Sequence, residues 1–193
     1  MINLRLITER LVLKSTSKET IDFLVNERGS DYYEWMGNEL VNEFNSHGLF
    51  PQSQKELDNF FDRCENDKSL LSFCMIDRKT SNHIGMVSLQ RIDLINRSAE
   101  FAIIIGAIDY WGKGYATEAL KILLRFGFLK LGLNRIWSAT AEVNHGMLNV
   151  FKKVNMKHEG TYREGQFLNG KFENTMAYAI LNKEFMSEKN SKV

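Results

Sequence analysis

The sequence predicts an α/β (α+β) domain in which a mostly antiparallel sheet is flanked by helices, and three observations carry that expectation. Three apolar runs, Leu71 to Asp77, Ile84 to Ile92 and Ala99 to Ile105, follow one another with short polar connections and read as an antiparallel meander. Two stretches place apolar residues at three-and-four spacing, one through Leu57, Phe60, Phe61 and Cys64, the other through Ala119, Leu120, Leu123, Leu124 and Phe128; both read as helices. Near the end, Asn169-Gly170 joins the runs Lys157 to Leu168 and Phe172 to Leu181, and this dipeptide between apolar runs is the strongest short hairpin signal in a sequence.

In chain order, Leu11 to Lys14 alternate as a first strand, and Thr16 with Glu19 forms a capping box before Ile21, Phe23, Leu24 and Val25. From Gly29 to Gln54 there is no Lys or Arg, while Asp31, Glu34, Glu39 and Glu43 are interleaved with Tyr32, Tyr33, Trp35, Phe44 and Phe50. Ser53 and Glu56 make a second capping box, opening a helix that ends near Asn66. The meander follows. Its last strand is apolar on both faces at Ile103-Ile104-Ile105, which predicts a central strand covered on both sides. Gly112 and Gly114 turn the chain into a helix that reaches about Leu131, with Gly132 as its C-cap. Ile136 to Ala141 is a strand, Met147 to Val154 a short helix, and the Asn-Gly hairpin closes the domain. Residues 187–193 read as a frayed tail, leaving residues 1–186 as a single domain.

Composition narrows the function classes. A net charge of +1 with 25% charged residues leaves no bulk basic field for nucleic acid. Arg5, Glu9, Arg10 and Lys14 interrupt any apolar run that would serve as a signal peptide or membrane span, so the expectation is a soluble, cytoplasmic chain with no membrane partner. Cys64 and Cys74 lack a Cys-x-x-Cys spacing, and His47, His83, His145 and His158 are scattered without metal-ligand intervals; reduced cysteines and no metal are expected.

The chemistry concentrates in Tyr110-Trp111-Gly112-Lys113-Gly114-Tyr115-Ala116-Thr117-Glu118. Two glycines ahead of a helix let the backbone bend and approach a ligand, and the first amides of a helix lack internal partners at the positive end of its dipole. That is an anion site. It is neither a Walker loop, since Lys113 is followed by Gly114 rather than Ser or Thr, nor a dinucleotide fingerprint, which needs a third small residue and an acid about twenty positions on.

With this element order, and with Ala99-Glu100-Phe101, Trp111 to Glu118 and Asn144 to Met156, the chain resembles the GNAT N-acetyltransferase superfamily, and within it the ribosomal-protein N-terminal (RimJ/RimL type) and bacterial polyamine acetyltransferases. The resemblance runs from Thr8 to about Leu181 and is most specific between Arg97 and Gly160. It implies a mixed sheet split into a V between its fourth and fifth strands, here Ala99 to Ile105 and Ile136 to Ala141, with acetyl-CoA in the split. It also implies that Trp111, Gly112, Lys113, Gly114, Tyr115 and Ala116 hold the pyrophosphate, that Ala102, Ile103 and Ile104 pair with the pantetheine arm, and that Asn144, Phe151 and Lys153 contact the cofactor.

For the reaction, the resemblance implies transfer of acetyl to a primary amine by direct attack in a ternary complex, foremost to a protein N-terminal α-amine. A polyamine, amino sugar or aminoglycoside acceptor is the alternative, and a non-catalytic acyl-CoA-binding module is a third reading. Glu100 is the candidate general base; a strand residue facing outward and paired with Arg97 or a neighbour would look the same in sequence. The family's usual acid is a tyrosine seven residues after the Asn matching Asn144, and here that position is Phe151, which leaves the leaving thiolate's proton to water, to Tyr110 or Tyr115, or to the substrate's own ammonium. Asn155-Met156 replaces the usual Gly-Phe, and Asn tolerates the left-handed turn that Gly supplies. Tyr32, Tyr33, Glu34 and Trp35, by analogy near the acceptor mouth, are the candidate substrate-binding residues, through carboxylate charge and aromatic faces. An acidic helix face over an aromatic core explains the same composition. A homodimer is left open.

Overall fold

A computed structural model describes residues 4–45, 49 and 53–190, of which 188–190 in their backbone alone. Strands β1 (Arg5–Ile7) and β2 (Leu11–Ser15) form a hairpin, followed by helices α1 (Lys18–Arg28), α2 (Tyr32–Gly37) and α3 (Gln54–Asn66). The meander is β3 (Leu71–Asp77), β4 (His83–Asp93) and β5 (Ser98–Ile104). A 3₁₀ turn at Ile108–Tyr110 leads into α4 (Tyr115–Leu129), β6 (Arg135–Ala141) and α5 (His145–Lys153); the hairpin β7 (Lys157–Leu168) and β8 (Lys171–Leu181) and helix α6 (Asn182–Asn190) complete the fold. The sheet order is β1-β2-β3-β4-β5-β6-β8-β7, antiparallel everywhere except β5 against β6.

Local chemistry accounts for most boundaries. The Ser53 box is complete, its side chain accepting from Glu56 N while Glu56 accepts from Ser53 N. Asn169 and Gly170 both take positive φ, 49° and 82°, as a type I′ hairpin requires. Asn155 stands at φ 58°, the left-handed geometry expected at that departure from glycine.

Four expectations are corrected. The cap of α1 is Ser17, which accepts from Thr20 N, whereas Thr16 is buried with its Oγ1 3.0 Å from Ser72 Oγ. Strand β1 carries no periodic signal in its three residues and exists through its pairing with β2. The chain after Ser187 is not frayed as far as it is described: α6 runs to Asn190, and Ser187 Oγ donates to Glu184 O at 2.8 Å. Strand β5 is central, but Ile103, Ile104 and Ile105 are only half-buried, because its two faces open onto clefts instead of being covered.

The core lies on both sides of the sheet. Helices α4 and α5 cover one face with Leu120, Leu123, Phe128 and Phe151 against Leu89, Phe101 and Ile136. Helices α1 to α3 cover the other with Ile21, Leu24, Tyr32, Trp35 and Phe61 against Cys74 and Met86. Among the described residues no helix is long and apolar enough to cross a membrane.

Candidate active site

The site begins as an interruption of the sheet. Parallel pairing between β5 and β6 is confined to Ser98 with Arg135, Ala99 with Ile136 and Glu100 with Trp137. Beyond Glu100 the strands diverge, while β5 stays paired with β4 as far as Ile104. A cleft of about 580 Å³ occupies this fork. Ala102 to Ile105 form one wall, Ser138 to Thr140 the other, and residues 110–112 and 114–117 close its end.

At that end the backbone is shaped for an anion. Gly112 and Gly114 adopt φ of 70° and 85°, conformations in which a side chain is strained. Gly114 caps α4 with no side-chain hydrogen bond, so the first amides of the helix are left to other acceptors. The loop is tied down around them: Trp111 Nε1 donates to Ile105 O at 2.7 Å, and the Tyr115 hydroxyl donates to Asp77 Oδ2 at 2.7 Å, which pushes that phenol up to about 12. The Tyr110 hydroxyl is shared with Thr80 Oγ1 and Asn82 Nδ2. Both tyrosines line the cleft by their rings, with hydroxyls engaged elsewhere.

The residues expected to hold a cofactor are brought together with two exceptions. Ala102, Ile103, Ile104, Trp111, Gly112, Gly114, Tyr115, Ala116, Asn144 and Lys153 all line the fork. Asn144 does so as the cap of α5, its Oδ1 accepting from Met147 N and its Nδ2 donating to Thr140 Oγ1. Lys113 is exposed and absent from the cleft wall. Phe151 is the second correction: it is fully buried, on the face of α5 that packs into the core, with its ring 5.2 Å from that of Tyr178. His145 is exposed at the start of α5 and lines none of the clefts.

Glu100 sits at the apex of the fork, in the last paired position. Strand alternation puts Ile103 and Ile105 on the α4 side and Ile104 on the α1 to α3 side, so Glu100, an even number of residues from Ile104, shares the latter face. Burial raises its carboxyl above the ordinary carboxylate value, opposed by the Arg91 guanidinium. Arg91 Nε lies 3.3 Å from Glu100 Oε2, without hydrogen-bond geometry to that buried oxygen. The counter-ion is therefore Arg91, reached through a register shift between Gln90 and Asp93, and not Arg97.

The acidic aromatic stretch does not form one surface. Helix α2 turns about 100° per residue, so its consecutive residues face different ways. Tyr32 is buried, its phenol pushed up by burial, and lines a second cleft of about 450 Å³ against Leu57, Phe60 and Met86. Trp35 is buried against Gly106, and with Glu34 it lines a third cleft of about 460 Å³ beside His83. Tyr33 is exposed and lines none of them. Phe50 and His47 lie outside the described residues. The second cleft matters most here, because it shares Asn45 and Ala102 to Ile104 with the fork, so two cavities converge on one segment of β5. Its walls from α3 and β4, and Ser138 and Thr140 on β6, escaped the sequence reading. The only cue to the latter was a small polar residue at alternate positions of an apolar strand.

Comparison with known proteins agrees with this geometry. Residues 24–157 match the acetyltransferase (GNAT) domain family. The spermidine N(1)-acetyltransferase of Escherichia coli (strain K12) is 29% identical over 133 residues, 69% of this chain and 70% of that protein. A Bacillus subtilis (strain 168) protein named as a candidate ribosomal N-acetyltransferase, YdaF, is 34% identical over 105 residues, 54% of this chain and 57% of its own. The crystal structure of spermidine N-acetyltransferase from Vibrio cholerae in complex with CoA and spermine superposes with a TM-score of 0.79 at 25% identity, covering 93% of this chain and 99% of that one. The split sheet, the glycine loop ahead of α4 and a family match over well more than half the chain lead to one conclusion: the chain belongs to the GNAT family and is an acetyl-CoA-dependent N-acetyltransferase.

Proposed function

We propose that this enzyme acetylates a small aliphatic primary amine of the polyamine type, by direct attack of the amine on the acetyl thioester in a ternary complex. The observation that carries the reading is the convergence of two clefts on Ala102 to Ile104, one within the fork and one beside α2 and α3. The fork suits acetyl-CoA: its loop offers the amides of residues 112–116 to a pyrophosphate, and the unpaired edge of β5 offers main-chain groups to an extended arm. The second cleft, with apolar walls of Met36, Leu57, Phe60 and Met86, suits an aliphatic chain; its charged lining is Glu56, whose carboxylate also caps α3 through Ser53, and Arg63. Relatives named as spermidine acetyltransferases favour this acceptor over the protein N-terminal α-amine that the sequence put first.

In this reading Glu100 takes the proton from the acceptor ammonium. An alkyl ammonium with pKa near 10.4 is neutral only about once in two thousand molecules at pH 7, so a base near the amine has a large effect; Glu100 lines the fork and not the second cleft, and would act where the two meet. A main-chain amide near Ile103 or Ile104 polarises the thioester carbonyl, a contribution typically of about 10² to 10³ in rate. Phe151 has no proton to give and the Tyr110 and Tyr115 hydroxyls are engaged, so the proton released from the attacking nitrogen passes to the departing sulfur.

A thiol-release assay with spermidine, spermine and a peptide bearing a free N-terminus tests the assignment. Turnover on the polyamines at a kcat/KM well above that on the peptide is expected. Preference for the peptide would restore the α-amine reading, and CoA binding without turnover on any amine would make the chain a non-catalytic module.

A further inference from the structure

We infer that Arg10, far from the fork in sequence and outside its lining, is a positioning residue that aims the pyrophosphate-binding amides. The inference rests on the reading of Trp111 to Ala116 as the cofactor loop.

Arg10 sits in the β1 to β2 turn, and its guanidinium is held on three sides. Nε donates to Glu118 Oε2 at 2.6 Å, Nη1 donates to Lys113 O at 2.9 Å, and the group lies over the Tyr115 ring, 4.3 Å from its centre. The Arg10 amide donates to the other Glu118 oxygen at 2.8 Å, and the Thr8 hydroxyl donates to that oxygen at 2.5 Å. A second brace comes from Asp77, which holds Tyr115 through its hydroxyl and is itself fixed by Thr80. The loop is thus gripped from behind by two turns remote in sequence, β1 to β2 and β3 to β4.

The consequence follows from peptide geometry. In a trans peptide the carbonyl and the following N–H point in opposite directions. With the Lys113 carbonyl drawn toward Arg10, the Gly114 N–H is directed the other way, and Gly114 lines the cleft where Lys113 does not. Arg10 also pairs with the only carboxylate in the first turn of α4, which would otherwise stand as an uncompensated negative charge beside a bound phosphate. Charge compensation alone needs only a cation, but holding Glu118 and the Lys113 carbonyl at once needs the planar fork of a guanidinium.

The test compares two acetyl donors in the full-length protein: acetyl-CoA, and the truncated thioester S-acetyl-N-acetylcysteamine, which has no pyrophosphate. For Arg10→Met the Kd of CoA should rise roughly 10- to 100-fold, as for loss of a hydrogen bond to a charged group. Its kcat/KM with the truncated thioester should stay within about threefold. An equal loss with both donors would reduce Arg10 to a support of the fold, and an unchanged Kd for CoA would overturn the inference outright. Should Arg10→Met fail to fold, Arg10→Lys carries the test: it keeps the charge beside Glu118 but loses the hold on the Lys113 carbonyl, so a smaller CoA-specific loss is expected, and its absence overturns the inference. Gly114→Val, strained at φ 85°, separates the two readings. Lost CoA affinity in Gly114→Val with normal affinity in Arg10→Met defeats the role of Arg10 alone, whereas normal affinity in Gly114→Val defeats the loop assignment.

Discussion

Moving from pH 7 to pH 5 should weaken this protein through one side chain, His83. The imidazole is 4% exposed, and its ring centre lies 4.9 Å from that of Trp35 and 6.2 Å from that of Tyr32. Its Nε2 is 3.0 Å from Gly85 O, which can only accept, so the neutral ring carries its proton there and its Nδ1 accepts from Ser30 Oγ at 2.8 Å. Burial lowers its pKa from 6.5 to about 4. The unfolded chain therefore binds the proton first. Stability from this group is complete above the unfolded value of 6.5 and is lost as the pH falls toward 4. The full gap corresponds to about 3 kcal/mol, and about 2 kcal/mol of it is lost between pH 7 and pH 5. Urea unfolding followed by tryptophan fluorescence at the two pH values measures this in the wild type and in His83→Gln, which keeps every other titrating group. The wild type should lose about 2 kcal/mol more than the variant. Equal losses would refute the reasoning. Protonation of the folded ring itself, near pH 4, would turn Nδ1 into a donor toward Ser30 Oγ, the same oxygen that accepts from the amide of Tyr32 at 3.2 Å.

Two further outcomes are expected. Gly106→Ala would place a Cβ 1.8 Å from the buried Trp35 ring, which must shift to admit it, so a loss of about 1–3 kcal/mol and a thermal midpoint lower by several degrees should follow; an unchanged midpoint would show that Trp35 is not seated there. Glu100→Gln should lower kcat/KM for the amine by roughly 10² to 10⁴ and flatten the limb that rises with pH. Burial raises the Glu100 carboxyl, so in the wild type that limb should lie above the usual carboxylate range, and a profile unaltered by the substitution would remove Glu100 from the mechanism.

The parts of this fold written in local chemistry were legible. The meander, the Asn169-Gly170 turn and the Ser53 cap depend on neighbours within a few residues, and each stands as expected. The glycine loop was legible too, since a backbone forced to positive φ leaves Gly112 and Gly114 as its trace. What stayed hidden depends on partners distant in sequence. Nothing near Arg10 announces that it reaches Lys113 and Glu118, and nothing near Phe151 says that its ring packs on Tyr178 instead of facing the fork. Helix α2 misled for a different reason: a cluster of acids and rings in one stretch suggests one surface, but a single helical turn deals Tyr32 and Trp35 to the core and Tyr33 and Glu34 to solvent.

The three-rung ladder between β5 and β6 has a mechanical consequence. It is the only strand-to-strand stitching between a five-stranded leaf, β1 to β5, and a three-stranded leaf, β6 to β8, among the described residues. A ligand whose own amides alternate along an extended chain can supply the missing rungs, whereas a plain hydrocarbon of the same length cannot. On the proposed cofactor site, discrimination of the acyl carrier would fall to the main chain, and Ala102, Ile103 and Ile104 would need to be no more than small or aliphatic. It also makes the ligand a rivet: amide hydrogen exchange along Ala102 to Ile104 and Ser138 to Thr140 should slow together when CoA binds, as two leaves hinged at Glu100 become one sheet.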